Sequence, residues 1–188
     1  MKNRNAFTLV ELLAVIVILG ILMLIAIPNT IALIDKNKKG NYIEHAKTFV
    51  SLVQNRVQTD KALELPIDET SVLIVTLDFL KTNDISDSPY GESYDKNSSF
   101  VAILLKSNRY TYYVHLVSCN NSSNSCSKDD LNLWRGIELI EVSRLNDDDR
   151  YDLIKSTKAD PNLIDIDEIK ANSLFVGKEV CINDEACI

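Results

Sequence analysis

The stretch FTLVELLAVIVILGILMLIAIP, residues 7–28, decides the fold of this chain. It is apolar almost throughout, and Glu11 is its one charged residue. A helix of this length spans roughly 30 Å, which is about the thickness of the hydrocarbon core of a bilayer. The sequence therefore predicts a transmembrane helix. Glu11 needs a separate explanation, because a carboxylate inside a membrane is costly and usually functional.

Neither a cleaved secretory signal nor a plain membrane anchor explains every feature of this stretch. A cleaved secretory signal has an apolar region of about 7–15 residues and ends at a small-residue cleavage site. This run is longer, and IAIPNT, residues 25–30, matches such a site poorly. A plain membrane anchor accounts for the length of the run but gives no role to Glu11.

A third interpretation comes from the pattern at the start of the run. The segment NAFTLVELLAVIVILGILMLIAIP, residues 5–28, resembles the N-terminal signature of type IV pilins and their pseudopilin relatives. A short basic leader, a lone glutamate at a fixed distance from the first apolar residue and a proline at the end of the run coincide here. The matching residues are Phe7, Thr8, Leu9, Glu11, Gly20 and Pro28.

The resemblance implies processing and partners. A prepilin peptidase would cut between Ala6 and Phe7, and the new N-terminal Phe7 would be N-methylated. The family normally has Gly before the cut, so Ala6 is a tolerated departure. Gly20 and Pro28 would loosen the helix during packing. Other pilin subunits and the pilus assembly machinery would be the partners, with the precursor in the cell membrane before an extracellular filament forms.

Glu11 has a chemical role in this interpretation. Cutting before Phe7 creates a positive amine four residues from Glu11, about 6 Å away along the helix axis. In a staggered stack of helices, Glu11 of one subunit can pair with the amine of its neighbour, so that neither charge is stranded in an apolar core. In the alternative explanation, Glu11 lies in the headgroup layer and pairs with Arg4.

Composition and charge divide the chain into segments. The resemblance implies a leader at 1–6 and an assembly role for the transmembrane helix at 7–28, and the sequence pattern predicts an amphipathic continuation of that helix at 29–60 and a globular head at 61–188. Residues 61–188 carry thirteen Lys and Arg against twenty-three Asp and Glu, a net charge of −10, whereas the chain as a whole has −7. So acidic a head argues against nucleic-acid binding.

The predicted fold class is α+β, with a long N-terminal helix packed against an antiparallel sheet, as the resemblance also implies. Apolar residues at helical spacing form one stripe on residues 29–60, and the helix is expected to end near Leu65 and Pro66. The stripe consists of Ile43, Ala46, Phe49, Val50, Val53 and Val57. Alternating patterns predict a hairpin of strands at 100–105 and 110–117, then strands at 134–142 and 174–182. We expect a short helix at 71–80, a loop at 83–97 and an irregular segment at 146–172 with a short helix near 167–171.

Four cysteines in the head predict two disulfides formed in an oxidising compartment. Their spacings do not fit a zinc site. Three pairings are open, and the local one, Cys119 with Cys126 and Cys181 with Cys187, is the one expected.

Other residues with chemical potential have simpler explanations. His45 and His115 are expected on a helix surface and a sheet surface, and no motif of an enzyme or cofactor site is present. Asp147, Asp148 and Asp149 are a weak candidate for calcium, since three adjacent acids more often form a solvated turn. The one basic and aromatic group, which a sheet explains more simply, consists of Lys106, Arg109, Tyr110, Tyr112 and Tyr113.

The leading hypothesis is therefore a structural subunit of a type IV pilus-like filament. Minor pilins and pseudopilins of DNA-uptake or secretion systems share the same N-terminal pattern. The alternative of another class is a membrane-anchored surface receptor or adhesin that never polymerises.

Overall fold

The computed structural model describes residues 8–82, 84–85, 87–119, 134–157, 175 and 177–182, apart from the side chains of residues 25, 26, 28 and 29. It divides into two compact units, Met1–Lys38 and Lys39–Ile188. Helix α1 (Leu9–Thr59) begins in the first unit and ends in the second.

The described residues of the first unit are helical from Leu9 onward, and their described side chains are exposed as far as residue 37. The exposed fraction of the large apolar side chains from Leu9 to Leu24 runs from 80% at Leu9 to 48% at Val15. Gly20 and Pro28 both lie inside the helix, which continues through them. The first unit therefore presents apolar surface on every side of α1.

Among the described residues, no helix combines the length and the apolar character that crossing a membrane requires.

The predicted apolar stripe on the second part of α1 is confirmed. Five of its members, from Ile43 to Val53, are buried and Val57 is half-buried. Tyr42, which the pattern did not single out, is fully buried beside them. The helix ends at Thr59, at the end of the predicted segment 29–60 and before Leu65 and Pro66, and Arg56 forms an ion pair with Asp60 at 2.9 Å just after the last turn.

The sheet belongs to the second unit, and its strand order is β6-β5-β4-β3-β1-β7, with the short β2 paired to β4. All described pairs are antiparallel except β1 with β7, which is parallel. The strands are β1 (Ser71–Thr76), β2 (Ser93–Tyr94), β3 (Phe100–Lys106), β4 (Arg109–Cys119), β5 (Trp134–Glu141), β6 (Ile154–Thr157) and β7 (Glu179–Ile182). Helix α2 is Leu77–Leu80, and two 3₁₀ helices, Val142–Asn146 and Arg150–Leu153, lie between β5 and β6.

The short helix expected at 71–80 is wrong over most of its length. Residues 71–76 form β1, which lies between β3 and β7 and is buried from Val72 to Thr76. A strand buried on both faces is continuously apolar and β-branched, so periodicity cannot tell it from a buried helical turn. Helix formation is confined to α2, where the Thr76 hydroxyl accepts a hydrogen bond from the Phe79 N–H at 3.3 Å.

The other predicted strands are confirmed, and two segments predicted to be irregular contain short strands. The hairpin is confirmed as β3 and β4, and the next strand as β5. The last predicted strand is confirmed in a shorter form as β7, although its pairing is parallel. The predicted loop at 83–97 contains β2, and the predicted irregular segment contains β6. The short helix expected near 167–171 lies outside the described residues.

The two faces of the sheet bury different apolar clusters, as the alternation of side chains along a strand requires. The larger cluster packs between α1 and the sheet and includes Phe49, Leu73 and Leu116. The smaller cluster on the other face includes Phe100 and Phe175. Burial on both faces explains how a head of this size holds its sheet together.

A buried polar network joins α1 to the sheet. The Tyr42 hydroxyl lies 3.1 Å from the carbonyl oxygen of Arg135 and 3.2 Å from the Ser118 hydroxyl. Ser118 donates to Glu92 Oε2 at 2.8 Å, and Arg135 Nε pairs with Glu92 Oε1 at 3.2 Å. The Arg135 guanidinium stacks on the ring of Tyr90 at 3.5 Å. The Ser118 hydroxyl and the Tyr90 ring give the charged pair further partners, and these directional contacts favour one arrangement of helix, loop and strand.

His115 is buried, so its prediction as a surface residue is wrong. Its exposed fraction is 2%, and its ring lies 5.3 Å from that of Phe100. Burial lowers the pKa of His115 to about 4. The alternating pattern predicted the strand, but it could not show that the smaller apolar cluster lies on this face of the sheet.

We predict that Gly136→Ala destabilises the fold. A Cβ there would lie 2.8 Å from the Leu116 carbonyl oxygen, so β4 and β5 would have to separate. The expected loss is about 1–3 kcal/mol of unfolding free energy, as for overpacked sites. Urea denaturation of the full chain in detergent, followed by fluorescence of the single tryptophan, Trp134, measures it.

The matched control is Gly40→Ala, in α1, where the new Cβ meets only a ring carbon of Tyr151 at an ordinary 3.8 Å. That change is expected to preserve stability or raise it by up to about 1 kcal/mol, since Ala favours helix more than Gly. Equal stability of the Gly136→Ala protein and the parent would show that the strands do not approach so closely.

We predict that His115 makes the fold less stable in acid. Because its pKa is near 4 in the folded chain and near 6.5 in an unfolded one, the unfolded state takes up the proton first. The contribution is absent above pH 6.5, grows as the pH falls and reaches about 3 kcal/mol of lost stability near pH 4. The measurement is the difference in pH dependence between the parent and His115→Gln, which leaves His45 and all carboxylates in place. Identical slopes from pH 7 to pH 4 in the two proteins would contradict the prediction.

Candidate assembly site at the start of the N-terminal helix

Thr8 and Glu11 form a hydrogen-bonded pair where α1 begins. The Thr8 carbonyl accepts the Leu12 N–H at 3.2 Å, which makes Thr8 the residue that caps the helix. The Thr8 hydroxyl accepts a hydrogen bond from the Glu11 N–H at 3.3 Å. In return, Glu11 Oε2 accepts hydrogen bonds from the Thr8 N–H and from the Thr8 hydroxyl, each at 2.8 Å. This is a capping box, which satisfies two N–H groups that the first turn of a helix leaves unpaired.

The capping box uses only one of the two carboxylate oxygens. Oε2 takes both hydrogen bonds from Thr8, whereas Oε1 has no partner among the described residues. The side chain of Glu11 is exposed, and so are the apolar side chains that follow it. A carboxylate that is held on one side and open on the other can receive a cation, such as an amine, from another molecule.

Comparison with known proteins finds a family match at the N-terminal end of the chain. Residues 1–27 match a family model described as the prokaryotic N-terminal methylation motif. These residues are a prepilin motif. No curated protein and no solved structure shows significant similarity to the chain.

The match covers residues 1–27 only, and it supports a processed protein similar to type IV pilins and pseudopilins. It implies cleavage by a prepilin peptidase and assembly with pilus machinery. An N-terminal helix followed by a largely antiparallel sheet is an α+β arrangement consistent with a pilin-like fold.

The residues predicted within the prepilin motif are described in part. Ala6 and Phe7, the predicted cleavage and methylation residues, lie outside the described residues. Glu11 is in the first turn of α1, and a Cβ added at Gly20 would have nothing within 4 Å. Pro28 lies in the helix, without a described side chain. The roles assigned to these residues stay predictions.

Sequence reasoning missed the pairing of Thr8 with Glu11. Its signal is present as T-x-x-E at residues 8–11, the spacing of a capping box in front of an apolar run. The same four residues therefore belong to the family pattern and also form the start of the helix.

The cysteines of the head are consistent with two disulfides. Cys119, at the end of β4, and Cys181, in β7, are each disulfide-bonded. Cys181 is level with Tyr112 through the pairing of β7, β1, β3 and β4, and Cys119 lies further along β4. Three strand spacings and seven residues put the two Cα atoms on the order of 25 Å apart, too far for a mutual bond. Each must therefore bond to another cysteine. Cys126 and Cys187 lie outside the described residues, so the local pairing stays a prediction.

The acidic residues of the turn after β5 form ion pairs with an arginine. Arg144 pairs with Asp147 at 3.1 Å and with Asp149 at 2.9 Å, so an arginine supplies positive charge where a calcium ion was considered. Within the described ranges, no three acidic, histidine or cysteine side chains are grouped so that they could hold a metal.

His45 and the tyrosines of β4, which were the other candidates for a chemical role, contribute to the packing of the second unit. His45 Nδ1 lies 2.9 Å from the Tyr94 hydroxyl, and partial burial lowers the pKa of His45. The tyrosines of β4 do not form one patch: Tyr110 is 43% exposed, Tyr112 is half-buried against the larger cluster and Tyr113 belongs to the smaller one. Their division between two faces favours the sheet explanation that the sequence suggested.

Proposed function

We propose that the chain is a structural subunit of a type IV pilus-like filament. A prepilin peptidase cuts it before Phe7, Phe7 is N-methylated, and α1 then carries the subunit into the filament. The observation that carries this proposal is a prepilin motif continued by the first part of α1, where the large apolar side chains from Leu9 to Leu24 are exposed.

The exposed apolar surface of α1 must be shielded from water by lipid or by other protein. Monomeric soluble proteins rarely leave a large continuous apolar patch in water, and a helix that is apolar all round is normally buried in a core or a membrane. On α1 this surface includes Leu9, Ile16 and Leu24, each exposed by more than half. Lipid would cover the helix of the precursor, and helices of other subunits would cover it in the filament.

Glu11 gives the packed helices a preferred register. Cleavage before Phe7 creates an amine, and Oε1 of Glu11 is open to receive one from a neighbouring subunit. Inside a bundle of apolar helices an unpaired amine is strongly disfavoured, so the alignment that pairs it with a carboxylate is selected.

The second unit fits the outside of such a filament. The acidic charge of residues 61–188 keeps this region soluble and disfavours contact with nucleic acid. Disulfide-bonded Cys119 and Cys181 suit an oxidising, extracellular location. The proposed role needs no cofactor and no enzymatic reaction, and it covers major pilins, minor pilins and pseudopilins alike.

The alternative of another class is a membrane-anchored receptor or adhesin that does not polymerise. It needs the apolar helix but gives no role to the charge of Glu11. Substitution of Glu11 therefore separates the two functions.

We predict that Glu11→Gln and Glu11→Val both lower incorporation into filaments by about tenfold or more, because each leaves the amine of the neighbouring subunit unpaired. Gln can still close the capping box, whereas Val cannot, so loss in the Gln variant reports the charge rather than the cap. The measurement is the ratio of subunit in sheared filaments to processed subunit in membranes, in cells that carry their own assembly machinery.

The matched control is Glu44→Gln, an exposed glutamate further along α1 that pairs with Lys47 at 2.9 Å. It should incorporate as the parent does, since an exposed ion pair contributes little. If both Glu11 variants are cleaved and incorporated like the Glu44→Gln protein, the charge of Glu11 has no role in assembly. Absence of the parent chain itself from sheared filaments would contradict the proposal that it is a filament subunit.

A further inference from the structure

We propose that an open cleft at one end of the sheet receives the lysine segment of a second copy of this chain. The lysine segment is the short basic stretch that follows the apolar part of α1, with Lys36, Lys38 and Lys39. The inference rests on the proposed function, because it describes a contact between two subunits of the filament.

The cleft lies beside the parallel pair β1 and β7, where both strands begin. Its volume is about 220 Å³, and residues 64–68, between α1 and β1, complete its lining. The apolar lining residues that are buried or half-buried are Leu65, Pro66, Val72, Leu73 and Cys181. The acidic lining residues, all exposed, are Glu64, Asp68 and Glu179. The cleft therefore has an apolar floor and an acidic rim.

Ile67 also lines the cleft, and it is exposed. Its exposed fraction of 88% is the highest of any large apolar side chain among the described residues. A single exposed isoleucine is ordinary on a protein surface. This one borders an apolar cleft, so the two together form a surface that a partner can remove from water.

The rim of the cleft keeps its negative charge. Asp68 Oδ1 accepts hydrogen bonds from the Thr70 hydroxyl at 2.7 Å, the Thr70 N–H at 2.8 Å and the Ser71 hydroxyl at 3.1 Å. These bonds hold the pKa of Asp68 below its usual value. No hydrogen bond or ion pair among the described residues involves the carboxylate of Glu64 or Glu179.

The base next to the rim is engaged elsewhere. Lys178 precedes Glu179, and its ammonium donates to the backbone carbonyl of Glu69. The Glu69 carboxylate in turn accepts the Ser107 N–H at 2.7 Å. The described lining of the cleft contains no lysine or arginine, so a cation that pairs with its rim comes from outside the lining.

A lysine side chain has the chemistry that this cleft fits. It carries an ammonium on a flexible apolar stem, and it buries the stem along apolar surface while the ammonium stays at a polar edge. The stem of a docked lysine lies on Leu65 and Leu73, and its ammonium pairs with Glu64 or Glu179. Contact with the apolar floor adds to an ion pair that would be worth little on an open surface.

The second copy is the occupant because α1 presents lysines directly after exposed apolar surface. Its large apolar side chains are exposed as far as Ile34, and the lysine segment begins two residues later. Three lysines and Asp35 give residues 35–39 a net charge of +2, opposite to that of the rim. In the proposed filament the apolar part of α1 packs among other copies. The lysine segment is then held near their second units at a high effective concentration, which a free cationic peptide lacks.

Reversal of the charges on either side, and on both sides together, tests this contact. Glu64→Lys with Glu179→Lys reverses two rim acids and leaves Asp68 and its turn intact. Lys36→Glu with Lys38→Glu reverses the sign of the lysine segment. Each pair of changes replaces attraction by repulsion, whereas the chain with all four changes restores attraction with the signs exchanged.

The matched control reverses two exposed acids outside the lining of the cleft, Asp78→Lys in α2 with Glu138→Lys in β5. It changes the net charge as much as the rim reversal does. Whichever chain is tested, it is the sole copy of this protein, at full length, in cells with their own assembly machinery. The measurement is the amount of the chain in sheared filaments divided by the amount of processed chain in membranes.

We expect the rim reversal and the segment reversal each to lower this ratio by about tenfold, since two attractive pairs become repulsive. The chain with all four changes should recover to within about threefold of the parent, and the control should stay within about twofold. Recovery also excludes misfolding as the cause of the loss, because that chain contains the same changes in the second unit.

The outcomes separate this inference from the proposed function. If the parent assembles and the rim reversal assembles like the control, the filament proposal stands and the cleft is not a contact between subunits. If both reversals block assembly and the chain with all four changes does not recover, the rim has another partner and the inference is wrong. Absence of the parent from filaments would overturn the proposed function, and the inference would fail with it.

Discussion

The apolar surface of α1 between Leu9 and Ile34 has to be removed from water, and much else in the chain follows from that constraint. The second part of the same helix is apolar on one side only, because the sheet covers that side and solvent covers the other. The first part has no such division. Under the proposed function, lipid covers this part in the precursor and the helices of other subunits cover it in the filament, and a single carboxylate is exceptional in either environment.

In the second unit, by contrast, the second part of α1 is covered by the sheet and held firmly against it. Apolar packing supplies most of the cohesion, but packing alone tolerates more than one register. The network of Tyr42, Ser118, Glu92 and Arg135 adds directional bonds between α1, β4, β5 and the loop before β2. The close approach of β4 and β5 at Gly136 fixes the neighbouring backbone in the same region. The burial of His115 on the other face shows that this face too is closed to solvent.

Sequence reasoning succeeded where one local pattern dominates. The stripe from Ile43 to Val53 has helical period over three turns, and the β3–β4 hairpin alternates cleanly around its turn. It failed at 71–76, because a short apolar run is compatible with a strand or a helix until its neighbours are known. The parallel pairing of β7 with β1 depends on a connection of about a hundred residues, which no local pattern encodes. Glu92 and Arg135 are likewise separated by 43 residues, so their ion pair is invisible before folding. At the assembly site, the family pattern predicted Glu11, while the Thr8 contact could have been found from its spacing alone.

The most direct test of the account is the mass of the mature N-terminus. Full-length protein would be expressed in cells with a prepilin peptidase, isolated from membranes and from sheared filaments, and analysed by intact mass and N-terminal fragmentation. The account predicts a chain that begins at Phe7 and carries one methyl group on its amine, in both fractions. A chain that still begins at Met1, or one cut after the apolar run near residue 27, would contradict it.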